Sequence, residues 1–239
     1  MDDLVAKKIA IIPARGGSKR IVDKNIVDFM GRPMIGWTIQ AAIDSGSFDR
    51  ILVSTDVPEI ATISHQLGAE APFLRHEFAD DHASASEATI HALRQASKYW
   101  GESYDTVVQL MANCPMRTSR DIRNSLHAFE REDSDFQISC FKFGWMNPWW
   151  AVTLDNTNHP ESLFPKARNS RSQDLPDSYC PSGAIWIAKT DKLLSHGTFY
   201  GPHHVFNELP LESSVDIDDQ DDLTFASALF AIRANRGHS

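Results

Sequence analysis

Short apolar runs recur through the first half of the chain, separated by longer stretches of mixed character. These runs cover residues 9–12, 50–54, 71–74 and 106–111. Pro13 and a glycine-rich turn stop the first of them. Continuous apolar runs of this length are typical of strands buried on both faces of a parallel sheet. We therefore predict a strand at each of the four places.

Amphipathic stretches fill the intervals between the runs. We predict a helix that begins at Pro33 and ends at Gly46, because proline suits a first helical position and glycine a helix end. Further helices are predicted at 58–67, 86–99 and 119–130, the last of them capped by Ser119. Alternation of strand and helix predicts an α/β fold with a mostly parallel sheet covered by helices on both faces.

The pattern changes from about Phe136 onward. Aromatic residues alternate with polar ones over 136–143 and 149–154, which predicts antiparallel strands. The polar stretch 155–177 is long for a plain connection, so we expect it to be functional or to contact another subunit. An apolar strand at 183–189 and an amphipathic helix at 220–234 complete the chain. We predict one domain over 1–239, with a small antiparallel lobe at about 140–180.

Composition narrows the class of protein. The chain has 239 residues, 42% of them hydrophobic, which is ordinary for a globular protein of one or two domains. Lys and Arg number 23 against 32 Asp and Glu, and this net charge of −9 argues against a partner that is a nucleic-acid polymer. Cationic side chains nevertheless concentrate in the first 24 residues, which leaves room for a small anionic ligand.

The cysteines and the N-terminus predict a cellular location. Cys114, Cys140 and Cys180 are widely spaced and odd in number, which fits neither a disulfide framework nor a zinc ribbon. No apolar stretch is long enough to cross a bilayer, and the acidic start Met1-Asp2-Asp3 is unlike a signal peptide. We expect a cytoplasmic protein that does not associate with membranes.

A glycine-rich, cationic loop follows the first predicted strand. The string PARGGSKR occupies residues 13–20, and Lys24 and Asn25 follow shortly after it. Adjacent glycines let backbone N–H groups approach an anion, and Arg15, Lys19 and Lys24 supply the charge that phosphate oxygens need. The string is neither a P-loop nor a dinucleotide fingerprint. Its place at the carboxyl end of a strand favours a phosphate site over a solvated basic turn.

Two carboxylates alternate with apolar residues near the C-terminus. In Val215-Asp216-Ile217-Asp218, a period of two puts both carboxylates on one side of an extended chain, where they can hold Mg²⁺ together with substrate phosphates. The alternative is a solvent-facing pair at the end of an edge strand. A phosphate loop and a carboxylate pair in one chain indicate metal-assisted handling of a nucleoside triphosphate.

Other residues give weaker signals. Arg168 and Arg171 suit either a clamp for a carboxylate or phosphate or salt bridges at a subunit interface. After the strand at 106–111, Asn113 is placed to read a base edge and Arg117 to bind phosphate. The histidines lack zinc-ligand spacing. The tryptophans at 145, 149 and 150 suit a core or a dimer interface.

Four segments, in order, carry a resemblance to a known family. They read IIPARGGSKRIVDKN, FLRHEFADDHASASEATIHAL, RSQDLPDSYCPSGAIWI and SVDIDDQDDL. The chain resembles the cytidylyltransferases that activate sialic-acid-type sugars, a family that includes the CMP-acylneuraminate synthetases and their pseudaminic and legionaminic relatives. The resemblance implies a Rossmann-like α/β/α nucleotidyltransferase that forms a homodimer through the small lobe. It also implies a reaction of CTP with a 2-keto sugar acid that gives a CMP-sugar and pyrophosphate.

The resemblance implies roles for individual residues. Arg15 and Lys19 would bind the CTP phosphates within the loop formed by Gly16, Gly17 and Ser18. Lys24 would lie against the triphosphate, Asn25 would orient the nucleotide, and Asp216 and Asp218 would hold Mg²⁺, so that Arg15, Lys24 and Asp216 form the catalytic group. The sugar-side residues would be Gln109, Arg168, Arg171, Tyr179, Phe199 and Tyr200.

Four positions depart from the family pattern. Val22 stands where proline is common and Asp23 where a neutral or basic residue is usual. Met111 replaces a glutamine that contacts sugar, and Ser182 replaces an asparagine. The changes suggest a substrate other than N-acetylneuraminate, of the pseudaminic or legionaminic type. The alternatives are the synthetase for the eight-carbon acid 3-deoxy-manno-octulosonate and a nucleotide-sugar-binding module without catalysis.

Overall fold

The computed structural model of the chain describes residues 6–78 and 84–236. The acidic start and most of the FADDH string therefore lie outside the described residues. None of the helices in the described ranges is both long and apolar enough to cross a membrane.

Strands and helices alternate through the first half of the chain, as predicted. The strands are β1 (Lys8–Pro13), β2 (Asp28–Phe29), β3 (Arg32–Pro33), β4 (Arg50–Ser54), β5 (Thr106–Gln109), β6 (Phe136–Lys142), β7 (Val152–Leu154), β8 (Pro160–Ser162), β9 (Tyr179–Lys189) and β10 (Val205–Glu208). The helices are α1 (Met34–Ser45), α2 (Pro58–Gln66), α3 (Ala85–Trp100), α4 (Ser119–Arg131), α5 (Thr190–His196) and α6 (Gln220–Arg236).

The main sheet of the described residues has the strand order β10-β6-β9-β5-β1-β4. β1 pairs in parallel with β4 and β5, and β10 pairs in parallel with β6. β9 runs antiparallel between β5 and β6. Because β1 lies between two parallel neighbours, its carboxyl end faces an edge of the sheet where other strands also end, which is where open α/β sheets bind ligands.

Helices cover both faces of this sheet. Ala10 and Ile12 of β1 pack into one apolar cluster with Ile35 and Ile39 of α1 and Ile122 of α4. On the opposite face, Ile9 and Ile11 pack with Ile90 and Leu93 of α3 and Leu193 of α5. The predicted α/β/α class with a mostly parallel sheet is confirmed.

The helix ends follow local chemistry, with two corrections. α1 begins at Met34, so Pro33 is the N-cap residue before the helix and not its first residue, whereas Gly46 ends the helix in the left-handed conformation, as predicted. The cap of α4 is Thr118 and not Ser119, because Thr118 keeps an extended backbone. The Thr118 hydroxyl accepts from the Asp121 N–H at 3.1 Å, and the Asp121 carboxylate accepts from the Thr118 N–H at 2.9 Å, which forms a capping box.

Two predicted strands differ from the structure, and one predicted extended segment lies outside the sheets. Residues 71–74 form no strand, because pairing with β4 is limited to a single bridge between Leu52 and Glu70. Residues 149–154 begin with a 3₁₀ turn at Pro148–Trp150, so β7 covers only the last three. Residues 215–218 are extended but unpaired in the described chain, although their side chains alternate between faces as predicted.

A small lobe lies between β6 and β9. β7 and β8 pair antiparallel there, and Trp149 packs on Phe164 with ring centroids 5.0 Å apart. Large apolar side chains on this lobe are exposed, with Trp145 at 87% and Leu154 at 61%. The lobe therefore presents several large apolar side chains to solvent.

Gly201 illustrates how tightly the core next to β6 is packed. A Cβ atom added at this glycine would overlap the ring edge of Phe136, a fully buried side chain. We predict that Gly201→Ala lowers the free energy of unfolding by about 1–3 kcal/mol, because overpacking forces strained side chains or backbone shifts. Urea unfolding monitored by circular dichroism measures it.

Gly144→Ala is the matched control, since no described atom outside its chain neighbours lies within 4 Å of the added methyl group. Equal unfolding midpoints for the two variants would contradict the packing described here.

Candidate active site

A cavity of about 510 Å³ opens at the carboxyl ends of β1 and β5. Its lining residues come from the loop after β1, the loop after β5 and the segment before α6: Pro13, Arg15, Ser18, Lys19, Arg20, Lys24, Asn25, Met111, Asn113, Asp216 and Asp218. The predicted phosphate loop and the predicted carboxylate pair therefore share one cavity, although nearly the whole chain separates them in sequence.

The loop after β1 is held from several sides. The Ala14 N–H donates to the Ser54 carbonyl at 2.9 Å, and the Gly16 N–H donates to Asp56 Oδ1 at 2.8 Å. The Asn25 side-chain amide donates to the Arg15 carbonyl at 2.8 Å. These bonds fix the path of the backbone beneath the cations. Asn25 is thus a positioning residue of the loop, and Gly16 uses its N–H for anchoring.

Both unusual residues after the loop lie in a turn. Asp23 adopts a positive φ of 50°, and its carbonyl accepts from the N–H groups of Ile26 and Val27 at 2.8 and 3.0 Å. Aspartate tolerates this left-handed conformation better than most residues. Val22 is 78% exposed. The departures at 22 and 23 therefore lie in the turn that leads to Lys24.

The carboxylate pair is set by apolar anchors on either side. Val215 and Ile217 are buried in a cluster with Phe29, Met34 and Met116, and the Ile217 N–H donates to the Asn113 carbonyl at 2.9 Å. With these side chains held inward, the alternation turns the carboxylates of residues 216 and 218 toward the cavity.

Positive and amide donors converge on the two carboxylates. Lys24 Nζ lies 2.8 Å from Asp218 Oδ1, and Arg20 Nη2 lies 2.7 Å from Asp218 Oδ2. The Asn113 side-chain amide donates to Asp216 Oδ1 and lies 3.3 Å from Asp218 Oδ1. Asn113 therefore contacts both carboxylates from the cavity wall, and the predicted reading of a base edge stays a prediction.

The two aspartates have opposite pKa shifts. Asp216 is open to the cavity but surrounded by protein elsewhere, and this loss of hydration, with repulsion from Asp218, raises its pKa to about 6. Desolvation acts in the same direction on Asp218, but the hydrogen bonds and charges of Lys24 and Arg20 outweigh it and lower the pKa of Asp218. Asp218 is thus paired directly with two cations, whereas for Asp216 the charges of Lys24 and Arg20 only partly offset desolvation and the repulsion from Asp218.

This donor set fits a hard divalent cation. Mg²⁺ takes one or two carboxylates from a protein and fills its remaining positions with water and substrate phosphates. Among the described residues, no cluster of three or more metal-binding side chains occurs. The excess negative charge at Asp216 is what such a cation would neutralise.

Arg117 lies behind the cavity and not in it. The residue is 2% exposed, and its Nη1 donates to the carbonyls of Ala184 and Met111. Burial lowers its pKa to about 10, which leaves it charged at neutral pH. The structure gives Arg117 a bracing role between β9 and the loop after β5, in place of the predicted phosphate contact.

The predicted sugar-side residues are not brought together within one chain. Gln109 is buried and accepts from the Thr89 hydroxyl at 2.7 Å. Phe199 is fully buried against Trp186, so its side chain is closed to a ligand in this arrangement. Tyr200 and Tyr179, in contrast, are exposed.

Arg168 and Arg171 lie in the lobe. They line a separate cavity of about 320 Å³ beside Trp150 and Val152. Arg171 Nε also pairs with Asp174 Oδ2 at 2.8 Å. Neither arginine lines the cavity that holds the phosphate loop.

Arg75 and Arg20 were not given roles by the sequence. Arg75 is 2% exposed, and within the described chain its Nε and Nη1 atoms have no hydrogen-bond partner. Burial lowers its pKa, and the charges of Asp56 and Arg15 are close enough to act on it. For Arg75, the signal available in the sequence was an arginine directly after the apolar run at residues 71–74. For Arg20, the contact with Asp218 joins positions too distant in sequence for any local pattern to link.

Comparison with known proteins places the chain in a family. Residues 9–177 match the cytidylyltransferase family. The chain is 35% identical over 228 residues to the pseudaminic acid cytidylyltransferase of Campylobacter jejuni subsp. jejuni serotype O:23/36 (strain 81-176), covering 95% of this chain and 97% of that protein. It is 33% identical over 218 residues to the N-acylneuraminate cytidylyltransferase of Streptococcus agalactiae serotype III (strain NEM316), covering 90% of this chain and 51% of that protein.

Solved structures share the fold. A CMP:2-keto-3-deoxy-manno-octonic acid synthetase complexed with CTP superposes with a TM-score of 0.70 at 19% identity, covering 95% of this chain and 100% of that one. The 4-diphosphocytidyl-2C-methyl-D-erythritol synthase of Anaerococcus prevotii DSM 20548 has a TM-score of 0.61 at 12% identity, covering 95% of this chain and 99% of that one. These structures show the fold, and the family match over residues 9–177 with the 35% identical relative shows that the chain belongs to the cytidylyltransferase family.

Proposed function

We propose that the protein transfers the cytidylyl group of CTP to the anomeric hydroxyl of a nonulosonic acid. The observation that carries this proposal is a single cavity in which Arg15, Lys19 and Lys24 face Asp216 and Asp218. Triphosphate binding needs the cations, and metal-assisted phosphoryl chemistry needs the carboxylates. The names of the relatives, which act on pseudaminic and N-acylneuraminic acids, supply the sugar class.

The reaction is a direct displacement at phosphorus. The anomeric oxygen forms a bond to the α-phosphorus of CTP, the bond from the α-phosphorus to the bridging oxygen breaks, and pyrophosphate leaves as the hydroxyl proton passes to solvent. Arg15, Lys19 and Lys24 bind and orient the phosphate oxygens, which holds the chain of phosphates in line for attack. Asp216 and Asp218 would hold Mg²⁺, which when bound neutralises the charge that builds on the leaving group.

The anchored loop gives the first functional prediction. A Cβ atom added at Gly16 would overlap Val57 Cγ2, so Gly16→Ala must displace the loop or the start of α2. We expect its dissociation constant for CTP, measured by calorimetry, to rise about tenfold or more, because small displacements of binding groups carry large costs.

The Gly16→Ala/Val57→Ala double variant removes the overlapping methyl group and should recover most of the affinity, with Val57→Ala alone as the control. Wild-type binding by Gly16→Ala, or a double variant as weak as the single one, would refute the steric account.

We further propose that a second copy of the chain completes the site through the lobe. The exposed apolar side chains of the lobe, with Trp145 as the most exposed, offer a surface for such a contact, and Arg168 and Arg171 lie on the same lobe. Aromatic side chains concentrate at the centres of protein interfaces. The sugar carboxylate would then be bound by arginines of the partner.

Sedimentation velocity is expected to give a dimer at micromolar concentration. Trp145→Ser should weaken dimerisation about tenfold or more, because aromatic anchors contribute heavily to interfaces. The control is Tyr99→Ser, which removes an aromatic side chain that is 60% exposed on α3, outside the lobe. A wild-type monomer at this concentration would contradict the proposal.

The identity of the acid is tested by a panel. We expect pyrophosphate release with CTP, Mg²⁺ and a pseudaminic-type acid, and much slower release with N-acetylneuraminic acid, because Met111 presents an apolar side chain in the cavity. Ser182, the other departure, bonds to Ser139 at 2.9 Å inside the protein and so acts on the sugar only indirectly. Pyrophosphate release with 3-deoxy-manno-octulosonate as the only accepted acid would instead support the eight-carbon alternative. Failure to release pyrophosphate with any of the acids would support the non-catalytic alternative.

A further inference from the structure

We propose that the Arg20 side chain pairs with Asp218 in the free protein and moves to the phosphates of CTP when a divalent cation binds at the carboxylates. This inference rests on the proposed function. Arg20 has no assigned role in it so far, and its contact with Asp218 is one of two ion pairs by which Arg20 and Lys24 join the described residues after β1 to the segment before α6.

Each oxygen of Asp218 is paired with a cation. Lys24 Nζ is 2.8 Å from Oδ1 and Arg20 Nη2 is 2.7 Å from Oδ2. A divalent cation bound by this carboxylate would stand close to both positive charges. The repulsion between like charges at such distances favours withdrawal of one of the two side chains.

Arg20 is the side chain that can withdraw. Its side chain is 60% exposed, whereas that of Lys24 is 16% exposed. An exposed ion pair contributes little to stability, so its exchange for a doubly charged ion is readily favourable. Asp219 and Asp222 also lie close enough to attract Arg20, which keeps a withdrawn guanidinium near the cavity.

The carboxylate itself is held in place during this exchange. Asp222 Oδ2 accepts from the N–H groups of Asp218 and Asp219 at 2.9 and 3.1 Å, which fixes the backbone at the start of α6. Asp218 therefore stays where it is while its partner changes. A bidentate guanidinium that lines the same cavity as Arg15 and Lys19 is well suited to phosphate oxygens.

The test compares Arg20→Gln with Arg131→Gln. The second variant makes the same change of charge at an exposed position near the end of α4. Mn²⁺ binding to the nucleotide-free protein is measured by electron paramagnetic resonance. Relative to Arg131→Gln, we expect Arg20→Gln to bind Mn²⁺ about threefold to fivefold more tightly, since it removes a competing surface ion pair.

CTP binding is then measured by calorimetry at saturating Mn²⁺. Here Arg20→Gln should bind CTP about tenfold more weakly, since a charge-assisted contact to phosphate is lost. Tighter binding of Mn²⁺ together with weaker binding of CTP identifies the exchange, because general damage to the site would weaken the binding of both. Mn²⁺ affinity no greater than that of Arg131→Gln, or unchanged CTP affinity, overturns the proposal. Neither measurement needs a sugar acid, so failure of turnover with every acid would count against the proposed function alone.

Discussion

Asp216→Asn is expected to lower kcat for pyrophosphate release about 10³-fold, measured with CTP, Mg²⁺ and an accepted sugar acid. The substitution keeps the shape of the side chain and an oxygen that can accept from the Asn113 amide. It removes the charge that we assign to the metal, and loss of one preorganised electrostatic group at a reacting centre commonly costs about 10²–10³ in rate. Asp221→Asn, on an exposed residue in the first turn of α6, is the control and should retain wild-type turnover.

The same substitution should stabilise the metal-free protein at neutral pH. Because the folded-state pKa of Asp216 is raised to about 6, the folded protein binds this proton more tightly than the unfolded chain does, and stability from this group is lost as pH rises from about 4 to about 6. The uncharged amide of the variant would escape that loss, so the Tm of Asp216→Asn should exceed that of the wild type above pH 6 and match it near pH 4. Unchanged turnover of Asp216→Asn, or a Tm below that of the wild type at pH 8, would refute the assignment of Asp216 as a charged ligand for the metal.

Arg117→Met is expected to lower the free energy of unfolding by about 2 kcal/mol, the scale of a hydrogen bond made by a charged group. The change removes the buried guanidinium that donates to the carbonyls of Ala184 and Met111. Urea unfolding measures the loss. The CTP dissociation constant of the molecules that remain folded should change little, since Arg117 does not line the cavity.

Arg123→Met provides the matched control, because Arg123 is an exposed residue of the neighbouring helix α4. It should lie within about 0.5 kcal/mol of the wild type, as surface substitutions usually do. Normal stability of Arg117→Met combined with weak CTP binding would restore the phosphate contact predicted from the sequence.

The sheet and its helices could be predicted because each element carries a local signal. β1 and β4 are continuous apolar runs, and Gly46 ends α1 with a φ of 61°, a conformation that glycine adopts without strain. Residues 71–74 carried a similar apolar signal, but pairing next to them is limited to one bridge to β4. Whether an edge strand forms depends on how the following chain turns, and that is decided by tertiary contacts.

The residues of the site also fall into two groups, those with a local signal in the sequence and those placed by tertiary contacts. The loop at 13–20 and the carboxylates at 216 and 218 could be predicted because each is contiguous in sequence, and they do meet in one cavity. The burial of Arg117 and Phe199 could not, because residue type does not reveal which side of a loop faces the core. The pairing of Lys24 with Asp218 joins residues 194 positions apart, a distance that only the fold closes.

The central claim is that the cavity catalyses cytidylyl transfer, and CTP labelled at single phosphates tests it most directly. With [α-³²P]CTP, Mg²⁺ and a pseudaminic-type acid, the label should appear in the CMP-sugar. With [γ-³²P]CTP it should appear only in pyrophosphate, and EDTA should abolish both. Release of labelled orthophosphate from [γ-³²P]CTP, or retention of all label in CTP that is demonstrably bound, would contradict the account.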